Sequence, residues 1–189
     1  MHKKALGIIA ASALAAVSFN TQASDVNYNY ADLTYNHAEL NGGGSGNGVG
    51  VAGSFGITDN LYLAGNYDSA DISGTGSEIN FGLGYHQPIN DTTDWYAEAR
   101  YRNLDVPGGT ANGYMGMLGV RMAANSQFQV KAGVGYGSLS GGGTTQSGGI
   151  FDVGGTYNIT DQFGITASYY SDQDSAKWNV VRVGVRMNF

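Results

Sequence analysis

The stretch Val181-Arg182-Val183-Gly184-Val185-Arg186-Met187-Asn188-Phe189 decides the fold, because apolar residues alternate in it with small or polar ones without a break. The valines, Met187 and Phe189 share one phase, while the two arginines, Gly184 and Asn188 share the other. Successive side chains of a β-strand point to opposite faces, so a period of two residues indicates a strand that separates two different environments.

The same alternation recurs towards the N-terminus, for example in residues 95–102, 128–136 and 163–170. Counting the runs between breaks predicts about ten strands, each near the length that a tilted strand needs to cross a bilayer. The second and third runs are rich in glycine, which leaves eight strands as the alternative. The ten predicted strands run roughly over residues 26–40, 48–57, 61–68, 77–87, 95–102, 113–123, 127–138, 149–159, 163–170 and 177–189.

Two kinds of break separate these runs and alternate along the chain. Tight breaks lie at 58–60, 87–94, 124–126 and 160–162, and looser Gly/Ser/Asp-rich breaks lie at 41–47, 69–76, 103–112, 139–148 and 171–176. The motif Ile57-Thr58-Asp59-Asn60-Leu61 returns as Ile159-Thr160-Asp161-Gln162-Phe163, which indicates repeated hairpins. Short turns at one end and longer loops at the other predict an all-β, closed, antiparallel up-and-down barrel with both termini beside the short turns.

The N-terminal residues 1–23 have the features of a secretory signal. Lys3 and Lys4 give a basic start, residues 5–17 form an apolar run, and Thr21-Gln22-Ala23 offers small residues before a cut. The apolar run is too short to span a bilayer as a helix. We therefore expect cleavage after Ala23, which leaves a single barrel domain over residues 24–189.

Alternation alone does not say which phase points outward, because a soluble barrel would place its apolar phase inside. The apolar phase carries aromatic rings at both strand ends, such as Trp95 with Tyr101 and Phe128 with Tyr136. These pairs are predicted to stand roughly 15–20 Å apart along the membrane normal, which suits two aromatic girdles around a hydrocarbon layer. The pattern therefore favours a transmembrane barrel whose apolar phase contacts lipid.

Ten charged residues fall on the opposite phase, and a charge facing lipid at mid-depth costs several kcal/mol. They are predicted to form a lumen charge network of Asp32, Glu78, Glu98, Arg100, Arg102, Arg121, Lys131, Asp152, Arg182 and Arg186. Two interpretations stay open. The network lines a narrow passage whose basic excess favours small anions, or Glu98, Arg100 and their neighbours close a salt-bridged interior.

Several kinds of chemistry find no support in the sequence. Without cysteine there is no disulfide or thiolate metal site, and the acidic balance argues against a nucleic-acid partner. His37 falls on the apolar phase and His86 beside a short turn, with no evident Asp–His or His–Ser pairing, so no catalysis and no cofactor is expected. The loop acids, Asp71, Asp105, Asp172 and Asp174, are interpreted as solvated single carboxylates.

Residues 30–35, 48–55 and 57–61, together with the closing phenylalanine, resemble the small outer-membrane barrels that include the OmpA transmembrane domain and OmpX. The resemblance covers nearly the whole chain after residue 23. It implies the outer membrane of a Gram-negative bacterium, contact with lipopolysaccharide, and an assembly signal of Gly184, Met187 and Phe189 that is read by the barrel assembly machinery. The oligomeric state stays open, with a monomer favoured. The resemblance specifies a class of barrel and not an activity. The leading hypothesis is porin-like passage of small solutes or an envelope scaffold without catalysis; the alternative is a surface adhesin of the OmpX type.

Overall fold

The computed structural model describes residues 26–40, 43–72, 75–173 and 178–189, so the predicted signal peptide lies outside the described residues. These ranges form ten strands: β1 (Tyr30–Leu40), β2 (Ser45–Gly56), β3 (Leu61–Asp71), β4 (Thr75–Asn90), β5 (Thr93–Val106), β6 (Gly109–Ala123), β7 (Phe128–Gly141), β8 (Thr144–Asn158), β9 (Phe163–Asp172) and β10 (Trp178–Asn188). Every strand pairs antiparallel with its neighbours in sequence, and β1 pairs with β10. The predicted closed up-and-down barrel of about ten strands is confirmed, and the alternative of eight strands is wrong. In the same ranges no helix has the length and apolar character needed to cross a membrane.

We call the end of the barrel with the predicted longer loops the outer end, and the end with the short turns the inner end. The prediction of long loops at 103–112 and 139–148 is wrong, because the strands extend through these residues into tight hairpins. At this outer end only residues 107–108 join β5 to β6, and only Gly142 and Gly143 join β7 to β8. Gly142 has φ 58° and Gly143 has φ 81°, and positive φ at both central residues is what a two-residue hairpin turn of type I′ requires. The predicted turn at 87–94 likewise shortens to residues 91–92.

The opposite, inner end carries the short turns, and the sequence repeat found there is also a structural repeat. In the turn 57–61 the N–H of Ile57 donates to the carbonyl of Leu61 at 2.7 Å, and the N–H of Leu61 donates to the hydroxyl of Thr58 at 3.0 Å. The turn 159–163 makes the corresponding two hydrogen bonds at 2.8 and 3.0 Å. The threonine side chain therefore fixes each turn by accepting a backbone N–H.

The outer wall of the barrel is apolar and exposed. Leu118 and Val134, in the middle of their strands, are 60% and 61% exposed. Aromatic rings stand at the two ends of this belt, as with Phe128 at the inner end of β7 and Tyr136 further out on the same strand. A continuous apolar surface of this extent marks a protein that contacts lipid or other apolar partners.

The interior is filled in three layers, which β5 samples in order from the inner to the outer end through Tyr96, Glu98, Arg100, Arg102 and Leu104. We call the innermost layer the tyrosine base; it consists of Val26, Tyr28, Tyr62, Ala64, Tyr96 and Ala123. The outermost layer is the apolar cap, consisting of Ala38, Ala70, Leu104, Met115, Met117, Leu139, Ile150, Tyr170, Trp178 and Val180. Charged side chains occupy the space between these two layers.

Candidate functional site: the charged interior

The sequence assigns ten charged residues to the interior, and the side chains of all ten point inward, as the strand alternation predicts. They are buried or half-buried. They are Asp32, Glu78, Glu98, Arg100, Arg102, Arg121, Lys131, Asp152, Arg182 and Arg186. Each of them lies within ion-pair distance of an opposite charge. Desolvated charges are tolerated when they are paired in this way.

Arg186 and Asp32 face each other across the seam between β10 and β1. They are direct partners in the strand register, and Arg186 donates from Nε and Nη2 to the two carboxylate oxygens, both at 2.7 Å. This two-pronged geometry is the strongest form of a guanidinium–carboxylate contact.

Arg182 makes a second two-pronged contact, with Asp68, although two strands, β1 and β2, lie between β10 and β3 around the barrel wall. Its Nε and Nη2 donate to Asp68 at 3.1 and 2.8 Å, and Asn36 and Asn66 also donate to that carboxylate at 2.8 and 2.6 Å. Gly50 of β2 leaves the necessary room, because a Cβ there would stand 2.5 Å from Asp68 Oδ1. Sequence reasoning missed Asp68, which was placed at the end of a strand and not assigned to the interior.

Glu98 joins the tyrosine base to the charged layer. Its carboxylate accepts from Arg100 Nη2 at 2.6 Å and from the hydroxyl of Tyr62 at 2.8 Å, and Arg121 Nη2 lies 3.7 Å away. Arg100 also donates to Asn80 at 2.9 Å. One acid thus serves two arginines.

Arg102 is completely buried at the boundary with the apolar cap. It donates from Nε to Glu78 at 2.8 Å and from Nη2 to Asp172, on the far side of the barrel, at 2.5 Å. The interpretation of Asp172 as a solvated loop acid is therefore wrong: β9 continues to this residue, and its side chain has no exposed surface. The extension of β9 could not be seen in the sequence, because Ser171 and Asp172 have turn-like composition.

Arg121 lies among four tyrosine rings at the inner end of the charged layer. Its guanidinium carbon stands 4.4 Å from the ring centre of Tyr28, 5.4 Å from Tyr96, 5.6 Å from Tyr62 and 5.7 Å from Tyr30. Burial raises the pKa of the Tyr28 hydroxyl above its ordinary value, although Arg121 opposes that shift. The ring therefore stays neutral and presents its face to the cation.

His86 pairs with Asp94, which corrects the expectation that no Asp–His pairing exists. Nδ1 of His86 lies 2.8 Å from Asp94 Oδ2, and its ring stacks on Tyr28 with centroids 3.8 Å apart. Both residues are buried: His86 is 8% exposed and Asp94 is 0% exposed. His37, by contrast, faces outward and contacts Asn47 at 2.8 Å. Three or more His, Cys, Asp or Glu side chains grouped as a metal site do not occur in the described part of the chain.

The lumen does not have the expected excess of basic side chains, because three further acids are buried in it. The interior of the described barrel holds six basic side chains, and its acids are the four predicted ones together with Asp68, Asp94 and Asp172. Acids and bases are therefore nearly balanced. The interior as a whole gives no reason to prefer anions over cations.

A cavity of about 70 Å³ remains in the charged layer. Tyr30 bounds it towards the tyrosine base, Met115 and Met117 bound it towards the apolar cap, and Arg100 and Arg182 line its sides. A volume of this order holds a handful of waters at about 10–15 Å³ each. It is a chamber between two packed layers.

The three residues of the predicted assembly signal lie on β10 and just after it. Met187 is on the outward phase and Phe189 is exposed on the outer wall, while Gly184 faces the backbone of β1. A Cβ on Gly184 would collide with the carbonyl of Leu33. Gly184 therefore also has a structural role, namely close approach of the two strands at the seam.

Comparison with known proteins gives structural likeness and no relative in sequence. No family model matches this sequence, and no curated protein matches it either. An outer-membrane channel from Pseudomonas putida F1 superposes with a TM-score of 0.54 at 10% identity, over 92% of this chain and 100% of that chain. The likeness is one of fold. Neisserial surface protein A has a TM-score of 0.43 at 16% identity over 85% of this chain and 95% of its own. The NanC porin has a TM-score of 0.44 at 13% identity, over 83% of this chain and 100% of its own.

Proposed function

We propose that this chain is a small outer-membrane β-barrel that serves as a closed scaffold of the envelope and performs no catalysis. The outward apolar belt between two bands of aromatic rings supports contact with lipid, because such a belt is unstable in water. The charged interior supports the same orientation, since all its charges have partners away from the belt. Lipopolysaccharide, the barrel assembly machinery at Gly184, Met187 and Phe189, and a monomeric state belong to this proposal.

One observation carries the closed state: packed side chains lie on both sides of the charged layer. At the inner end Tyr62 is 0% exposed and Val26 is 1% exposed, and at the outer end Leu139 is 2% exposed. The ion pairs between these layers span the barrel, as Arg102 does from Glu78 to Asp172. Porin-like passage would require both layers and several of these pairs to rearrange.

Conductance across a planar lipid bilayer tests the proposal directly. We expect the purified barrel to be silent at high salt. The triple variant Tyr62→Ala/Arg102→Ala/Leu139→Ala, which removes one large side chain from each closing layer and the arginine that spans the barrel between them, is expected to conduct. Each single variant leaves at least one closing layer in place and is expected to stay silent. Steady single-channel currents from the unaltered protein would contradict the closed state and support passage of small solutes instead.

The adhesin alternative finds less support at the outer end. Two of the outer connections are the two-residue turns at 107–108 and 142–143, which offer little projecting surface to a host partner. Adhesive loops are expected to be longer and to stand clear of the barrel.

A further inference from the structure

A second, smaller cavity of about 30 Å³ lies in the inner part of the interior, beside the tyrosine base. The charged side chains that line it are Arg121, Lys131 and Arg186, and its lining includes no carboxylate residue. Gln129 and the hydroxyl-bearing residues Tyr30, Thr156 and Thr166 are the other polar side chains of its lining. This pocket is therefore locally cationic, although the interior as a whole is balanced.

The acids that pair with Arg186 and Lys131 do not line this pocket. Asp32 contacts Arg186, and Asp152 contacts Lys131 at 2.6 Å, and both acids line the larger cavity of about 70 Å³ instead of this one. Gly154 makes room for the lysine, since a Cβ there would stand 3.3 Å from Lys131 Cε. Three positive groups thus converge on a space that their partners do not reach.

Arg121 is the least neutralised of the three. Its carboxylate neighbour Glu98 is 3.7 Å away and already accepts shorter hydrogen bonds from Arg100 and Tyr62. Asp94, its cross-strand neighbour, contacts His86. The side chain of Arg121 is only 8% exposed, and its Nε has no hydrogen-bond partner among the described residues. A buried charged donor without an acceptor is costly, so this geometry calls for an anion.

We propose that this pocket binds one small inorganic anion of halide size, such as chloride, between Arg121, Lys131 and Arg186. The volume of about 30 Å³ corresponds to roughly two waters at about 10–15 Å³ each, which suits an anion of halide size. The anion supplies the acceptor that Arg121 Nε lacks. The three cations lie on three different strands, so a bound anion stabilises the fold. This inference does not depend on the proposed scaffold function.

Bromide is the probe for the test, and gluconate, which is too large to enter, is the reference anion. The complete barrel in detergent is titrated from gluconate to bromide at constant ionic strength while its unfolding midpoint is followed, and crystals grown in bromide are examined by anomalous scattering. We expect saturable stabilisation by bromide and an anomalous peak between the three cations. A response that never saturates, or crystals without bromide in the pocket, would overturn the proposal.

Two charge-neutral double variants separate this site from general screening. Lys131→Gln/Asp152→Asn removes one pocket cation together with its acid, and we expect the half-saturating bromide concentration to rise about tenfold, as for loss of one charge-assisted contact. The matched control, Arg182→Gln/Asp68→Asn, removes an ion pair that does not line this pocket, and its value should change by less than about twofold. Equal effects of the two variants would reject the site. If the first variant does not fold, Arg121→Lys, which keeps the charge but removes the unpartnered Nε donor, should weaken bromide binding; unchanged binding would reject the site.

Discussion

The ring of Tyr62 fills the space that the missing side chain of Gly84 leaves on the neighbouring strand. The two residues are direct partners in the β3–β4 register, and a Cβ on Gly84 would overlap the far edge of the ring. The ring is 0% exposed, and its hydroxyl donates to Glu98, so it cannot swing aside freely. The glycine is thus part of the packing of the tyrosine base.

Substituting Gly84→Ala should therefore destabilise the barrel by about 1–3 kcal/mol, the usual result of overpacking a dense interior. Urea unfolding of the barrel in detergent measures the change. Gly116→Ala is the matched control, because the nearest atom to a Cβ at Gly116 is 3.9 Å away. If both variants lose the same stability, the loss comes from strand glycine in general and not from the fit with Tyr62.

Removing the charge of Glu98 should weaken the centre of the interior. Glu98→Gln leaves Arg100 and Arg121 without their shared carboxylate, and loss of one partner of a buried ion pair costs about 3–5 kcal/mol. Unfolding free energy is again the measurement. Glu39→Gln, whose carboxylate is 63% exposed at the outer end, should change it by less than about 1 kcal/mol. Comparable values for the two variants would mean that Glu98 is not a structural centre.

If the outer wall contacts lipid, the cost of placing a charge on it should depend on how deep in the membrane the charge lies. Leu118→Arg places a charge in the middle of the apolar belt and should reduce the free energy of folding into lipid vesicles by about 2–4 kcal/mol. Thr110→Arg, also on β6 but near the outer end, should cost only about 0–1 kcal/mol. The absence of any difference between the two positions would be incompatible with a wall that faces acyl chains.

Processing by a signal peptidase predicts the mass of the exported protein. We expect the chain isolated from the envelope to begin at Ser24, because the basic start, the apolar run and the small residues before Ala23 form one signal. Intact mass spectrometry checks this to the residue. A chain that keeps residues 1–23 would contradict the predicted cleavage.

The strand phase was the most informative property of the sequence. Stepping by two from Glu98 reaches Arg100 and Arg102, and all three point inward, because a strand without a bulge keeps its alternation to its end. The same step from Tyr62 leads to Asp68, the last residue of the predicted strand 61–68, so the phase alone could have assigned this acid to the interior. Phase therefore predicts which side chains share the interior.

Strand ends and partners could not be predicted in the same way. Residues 103–112 have the composition of a loop, yet Gly108 has φ 120° and lets two strands meet in a tight hairpin. Asp172 was missed for a related reason, since turn-forming residues at a strand end do not reveal whether the ladder continues. The contact of Arg182 with Asp68 depends on the curvature of the closed wall, which no local pattern contains.

The seam between β1 and β10 has a consequence for biogenesis. Its ladder joins residues such as Asp32 and Arg186 that are separated by most of the chain, so neither edge can find its mate until translation has delivered β10. Such long-range pairing is slow, and until then two unsatisfied strand edges invite aggregation. For an outer-membrane barrel as proposed above, we therefore expect the nascent polypeptide to stay unfolded until β10 is available to pair with β1.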